Sequence, residues 1–164
     1  MINKYWFHLI GLISIIAIGS ALIAEHLFYI EPCKLCLKQR EPYYVIIIVT
    51  CIFILLKLQK KIWFYIIIQA ISVYGLFYSM WHVGIENKIL PGPSGCSGGL
   101  DVTSDATNLK EQILSKAVIS CEDVIWSFFG LSAATINSLI LFLIFTINAI
   151  YLKNEYGSQK KASN

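Results

Sequence analysis

Cys33 and Cys36 sit in the stretch Glu31-Pro32-Cys33-Lys34-Leu35-Cys36-Leu37-Lys38-Gln39-Arg40, between two apolar segments. Sulfurs in C-x-x-C spacing close a small ring that opens and re-forms easily. A thiolate at the N-terminal end of a helix, with cations nearby, has a lowered pKa and reacts readily. Arg40 lies four residues after Cys36, so on one helix the two side chains share a face. Its fixed charge there would stabilise a thiolate or a reduced electron acceptor, although an arginine in this place also serves simply by snorkelling to lipid headgroups. Of the five cysteines, Cys96 and Cys121 stand in a later polar stretch, and Cys51 lies inside an apolar run as a packed, inert side chain.

Two blander readings of the four polar-side cysteines compete with redox chemistry. A structural zinc site normally takes two short-spaced pairs, and Cys96 and Cys121 are 25 positions apart, so no metal is expected. Two inert disulfides are the other reading, but a C-x-x-C ring constrains little chain and stabilises little. Reactivity explains that pair better. His82, closing the third apolar run, is either an interfacial polar group or a donor to a bound carbonyl and a proton shuttle. Glu25 and His26 read as interfacial, and Asn137 and Asn148 as interhelical hydrogen-bonding groups.

The elements that position these residues follow from hydropathy. The chain has 164 residues, 57% hydrophobic and 14% charged, whereas a soluble domain is roughly a quarter charged. A membrane protein is indicated. The net charge of +3 and the dispersed lysines exclude a nucleic-acid footprint. One integral domain, 1–164, is expected, with spans over about 5–24, 42–57, 62–82 and 130–152. The first run exceeds a signal-peptide core of about 7–15 residues and lacks an A-x-A site, so it reads as an uncleaved helix. The second helix begins either near Leu35, with Pro42 inside it, or at Pro42 itself. The stretch from Pro91 to Gly99 reads as a loop presenting Cys96. Residues 109–119 carry apolar groups at helical spacing, too few to span, so a short interfacial helix is expected there.

Orientation rests on short-loop lysines. Lys4, Lys57, Lys60, Lys61, Lys153, Lys160 and Lys161 fall on one side of four spans, which places both termini in the cytoplasm. The opposite loops, about 25–41 and 83–129, carry both cysteine pairs. Between His82 and Asp123 three lysines stand against six acidic residues, which agrees with an outward loop. Disulfides persist on that side.

Together these residues resemble the DsbB family of disulfide-forming inner-membrane proteins. The likeness is carried by Pro32-Cys33-x-x-Cys36 with Gln39-Arg40 after a first span, by Cys96 and Cys121 in the second outward loop, and by Trp126-x-Phe128-x-Gly130-Leu131. His82-Val83-Gly84-Ile85-Glu86, with Pro91-Gly92-Pro93 leading to Cys96, resembles one branch of the family. The resemblance implies an all-α membrane protein: a four-transmembrane-helix bundle with a short first and a longer second periplasmic loop. It implies re-oxidation of a periplasmic DsbA-type, thioredoxin-fold dithiol oxidase, with the electrons passing to ubiquinone or menaquinone. In that scheme Cys96–Cys121 is the disulfide attacked by the partner, and Cys96 forms the mixed disulfide. Cys121 then turns on Cys33, and Cys36 is left as a thiolate against the quinone. Arg40 supports the quinone, and His82 contacts it. Two alternatives remain. The vitamin K epoxide reductase type of relay carries its C-x-x-C after its loop cysteines, whereas Cys33 and Cys36 come first here. The other is a membrane protein stapled by structural disulfides, with an interaction role.

Overall fold

Where no water is available to pair backbone amides, an apolar segment satisfies them within a helix. The computed structural model describes residues 2–57, 62–93, 121, 124 and 126–163. Among these the apolar runs form α1 (Ile2–His26), α2 (Lys34–Leu55), α3 (Ile62–Glu86) and α4 (Ala133–Ser163), with a small hairpin of β1 (Ser127–Phe128) and β2 (Leu131–Ser132) before α4. Helices α1, α3 and α4 are each long and apolar enough to cross a membrane. Helix α2 carries Lys34, Lys38, Arg40 and Glu41 in its first turns and is not a clear span. The expected interfacial helix over 109–119, and Cys96, lie outside the described residues.

Helix α3 packs most extensively on α4, while α2 lies between α1 and α3. The core joins Phe7 and Ile10 of α1, Ile46 of α2, Phe64, Tyr65 and Ile68 of α3, and Leu141 and Ile144 of α4. At the far end from the cysteines, Trp6 stacks on Tyr151 with ring centroids 5.5 Å apart, and Asn148 Nδ2 donates to the Tyr65 carbonyl at 2.9 Å. Large apolar side chains such as Leu12, Ile16, Ile48, Trp63, Phe77 and Phe142 face outward. An exposed apolar surface of this extent suits a lipid-facing bundle rather than a water-facing one.

The helix bounds differ from the expected spans in three informative places. Helix α2 begins at Lys34 with Pro42 inside it, the first of the two possibilities. Helix α3 runs four residues past 82, to Glu86, so His82 and Glu86 lie one turn apart. Helix α4 starts at Ala133, because the hairpin takes up Ser127–Ser132, and it continues to Ser163 instead of stopping near 152. No proline follows Leu152, and lysine, glutamate and glutamine continue a helix readily. Phe129 (φ 53°) and Gly130 (φ 78°) are both left-handed, as a two-residue type I′ hairpin turn requires.

Pro42 is tolerated because α3 offers it a recess. A Cβ added at Gly75 would lie 2.9 Å from Pro42 Cγ and 3.0 Å from Leu141 Cδ1. The proline ring cannot rotate away, so this glycine sets how closely α2, α3 and α4 approach. Gly75→Ala is therefore expected to destabilise the bundle by about 1–2 kcal/mol, overpacking outweighing the gain in helix propensity. A lowered melting midpoint in detergent checks this. Gly19→Ala, which meets nothing within 4 Å, is the control and should leave the midpoint level or higher.

Candidate functional site

The site is built on the first turn of α2. Pro32 leads an extended chain into Cys33, whose backbone (φ −70°, ψ 168°) is that of an N-cap residue. Its sulfur takes the place of the usual capping oxygen and accepts the Cys36 N–H at 3.2 Å. The Cys33 carbonyl accepts the Leu37 N–H at 3.1 Å, which starts the helix. This turn brings the Cys33 and Cys36 sulfurs to 2.8 Å, less than an ångström from the disulfide bond length of about 2.04 Å.

His82 reaches this turn from α3. It is buried, with Nε2 3.8 Å from the Cys33 sulfur and Nδ1 2.6 Å from Gln39 Nε2. Gln39 Oε1 accepts from Asn137 Nδ2 at 2.9 Å, and Asn137 Oδ1 accepts from the Tyr43 hydroxyl at 2.6 Å. From Tyr43 onward the donors run one way, so Gln39 donates to Nδ1 and the ring proton lies on Nε2, toward the sulfur. The Cys33 and Cys36 sulfurs and a His82 ring nitrogen lie within 4.8 Å of one another, but His82 meets the sulfur as a hydrogen-bond donor and not with a free lone pair.

These donors decide which sulfur bears the charge. The Cys36 amide and His82 both converge on Cys33, so Cys33 accepts and the Cys36 thiol donates to it. That thiol is the largest cause, followed by His82 and the Cys36 amide. Against the opposing effect of burial, they hold Cys33 down at about 4.

Arg40, one turn beyond Cys36, is tied to α1: its guanidinium forms an ion pair with Glu25 and donates to the Ala21 carbonyl at 3.4 Å. A cavity of about 180 Å³ opens beside these groups. Cys36, Gln39, Arg40 and Tyr43 of α2, with His82 and Glu86 of α3, supply its polar wall. Ala17, Ala21 and Ala24 of α1, Ala133, Ala134 and Ile140 of α4, and Trp126 supply most of the apolar wall. A cavity of about 150 Å³ already holds a benzene ring, so this one has room for a substituted ring.

Cys33 itself faces elsewhere. It belongs to a buried cluster with Leu35, Ile85 and Cys121, and Cys121 is disulfide-bonded. Of the residues singled out in the sequence, Cys33, Cys36, Arg40, His82 and Cys121 therefore come together at one end of the bundle, and Cys96 lies outside the described residues. Both sulfurs of the C-x-x-C turn belong to or pack against the cluster that holds Cys121, and of the two Cys36 also lines the cavity. Such a turn can exchange disulfides on one side and pass electrons on the other.

Several contributors had not been given a role. Glu25, interfacial by its place in the sequence, holds Arg40. Gln39 and Tyr43 carry the hydrogen-bond chain to His82, with Asn137 as the interhelical link. The alanines at 17, 21 and 24 recur at i, i+4 and i+7 on α1, a small-residue face that periodicity alone would have revealed.

The family model described as "Disulfide bond formation protein DsbB" matches residues 3–152. A protein of Rickettsia prowazekii (strain Madrid E), described as uncharacterized, is 28% identical over 131 residues, covering 78% of this chain and 75% of the relative. No solved structure matches the chain significantly.

Reduced Cys33 should stay ionised far into acid. Its stabilisation of the reduced form is fully present above an ordinary thiol pKa of about 8.5 and is lost as pH falls through about 4. In the reduced protein the thiolate absorbance is expected to titrate near pH 4. Cys36→Ala, which removes the strongest donor, should move the midpoint up by at least about one unit. A wild-type midpoint near that of a free cysteine would contradict the assignment.

Proposed function

The chain belongs to the DsbB family, and on that premise we propose that it re-oxidises a periplasmic DsbA-type dithiol oxidase and passes the electrons to a membrane quinone, ubiquinone or menaquinone. Family membership itself implies a thiol oxidoreductase acting in disulfide bond formation. One observation supports the finer reading: Cys33 and Cys121 share one buried cluster, and Cys36, packed against that cluster, also lines the cavity beside Arg40.

The sulfur steps balance as follows. A thiolate of the partner attacks Cys96 of the Cys96–Cys121 disulfide, and Cys121 leaves as a thiolate. Cys121 attacks Cys33, the S–S bond to Cys36 breaks, and Cys36 leaves as a thiolate. With Cys33 in the mixed disulfide, the negative charge sits on Cys36, which keeps the α2 N-terminus and Arg40 for support. The partner's second thiol then resolves the chain of exchanges, leaving its own disulfide, a restored Cys96–Cys121 bond and a reduced Cys33–Cys36 pair. A quinone bound in the cavity supplies a two-electron, two-proton acceptor.

The cavity suits such a group. Its alanine-lined wall accepts a flat ring, Arg40 offers a cation to a carbonyl oxygen that gains negative charge, and His82 offers a proton-bearing side wall. Glu25 keeps the guanidinium turned toward α1 at the cavity edge. Lys57 and Lys153 lie at the bundle end opposite the cysteines, which supports a periplasmic site and cytoplasmic termini.

The purified protein, given a reduced DsbA-type partner and a quinone, is expected to reduce the quinone. Cys33→Ser should abolish turnover while the protein still accumulates; a loss of the folded protein instead would favour a structural staple. Arg40→Gln is expected to raise the quinone KM about tenfold, the worth of one charge-assisted hydrogen bond of about 1.5 kcal/mol. Partner exchange should be less affected, and equal loss of both would remove Arg40 from the quinone side.

A further inference from the structure

The hydrogen-bond chain beside the cavity leaves two donors unspent. A side-chain amide nitrogen carries two N–H groups. Gln39 Nε2 gives one to His82 Nδ1 at 2.6 Å, and Asn137 Nδ2 gives one to Gln39 Oε1 at 2.9 Å. Among the described residues the second N–H of each has no acceptor. Both residues line the cavity, Gln39 buried and Asn137 half-buried. A donor left unpaired away from water is costly, and an acceptor carried in by a ligand removes that cost.

The wall gives these donors an order. Arg40 and Gln39 are consecutive on α2. Arg40 is held at the α1 edge by Glu25 and the Ala21 carbonyl, whereas Asn137 stands on α4. From α1 to α4 the cavity therefore offers a cation and then two neighbouring amides. A ring whose carbonyl meets Arg40 turns its adjacent substituents toward those amides. Ether oxygens there accept the spare N–H groups. Carbon substituents, whether methyl groups or a fused benzene ring, leave them unpaired. We infer that the cavity selects a dialkoxybenzoquinone, the ubiquinone type of ring, over a naphthoquinone, and that Asn137 is the residue that decides between them. Gln39 supplies the second donor, but it also orients His82, so Asn137 is the one to change. The inference rests on the quinone reading above and narrows it to one class of ring.

The experiment measures binding to the oxidised protein in detergent by quenching of tryptophan fluorescence, Trp126 lying on the cavity wall. The probes are a dimethoxybenzoquinone and a dimethylbenzoquinone with the same alkyl tail, close in size and differing in the ether oxygens. The wild type is expected to bind the dimethoxy ring about tenfold more tightly, the worth of one hydrogen bond to a donor otherwise left unpaired. A naphthoquinone with that tail should bind as weakly as the dimethyl ring. Asn137→Leu, close to asparagine in size but without a donor, should cut the preference to about threefold or less. Equal binding of all three rings by the wild type would overturn the proposal. So would a variant that weakens every ring by the same factor, which would leave Asn137 as a structural link to His82. If the variant does not fold, the wild-type series decides alone. Binding of none of the rings would overturn the quinone reading and this inference together, an outcome distinct from equal binding.

Discussion

The sulfur of Cys33 does the work of a capping oxygen, and the rest of the site depends on that substitution. A helix start needs an acceptor for its unpaired N–H groups. Serine or aspartate would supply one without redox consequence. By using a thiol, the chain makes the stability of α2 and the ionisation of Cys33 the same interaction. The negative charge that caps the helix is also the one a disulfide exchange needs, so the reactive form costs the fold nothing extra.

Polar groups inside an apolar bundle have few partners, and this shapes the surroundings of the cap. Tyr43, Asn137, Gln39 and His82 come from three helices and satisfy one another in a single file. Each amide has its donor and acceptor ends distinguished by its neighbours, so the orientation of the last member, His82, is decided at Tyr43, one turn along α2 from Gln39. Removing a middle link would leave two buried groups unpaired, each at a cost of about 1–3 kcal/mol. The packing that allows this proximity is equally specific, since the proline ring of α2 lies in the space left by Gly75.

What could be read in the sequence was local. Cys33, Cys36 and Arg40 are set by helical spacing within eight residues, and α1, α3 and α4 by uninterrupted hydropathy. Helix α2 was ambiguous because four charges and a proline occupy its first turns, and its continuation through them depends on neighbours in space. The Glu25–Arg40 pair, 15 positions apart, and the Gln39–Asn137 bond, 98 apart, follow no spacing rule. Asn137 was expected to bond between helices, but its partner could not be named. The hairpin before α4 gave no signal, because its turn places Phe129 in a left-handed conformation that phenylalanine rarely adopts.

Helices α1 and α4 both line the cavity, yet among the described residues they pack little against each other. Their side chains there are alanines and isoleucines with Ser20 and Asn137 among them, so the seam between them is narrow in substance and mostly apolar. In a bilayer, a seam of this kind would offer the chamber a sideways route to the hydrocarbon layer. A visitor with a long isoprenoid tail would leave that tail outside among the acyl chains while its head enters. It would arrive by diffusion in two dimensions, and the abundance governing its encounter would be reckoned per area of bilayer.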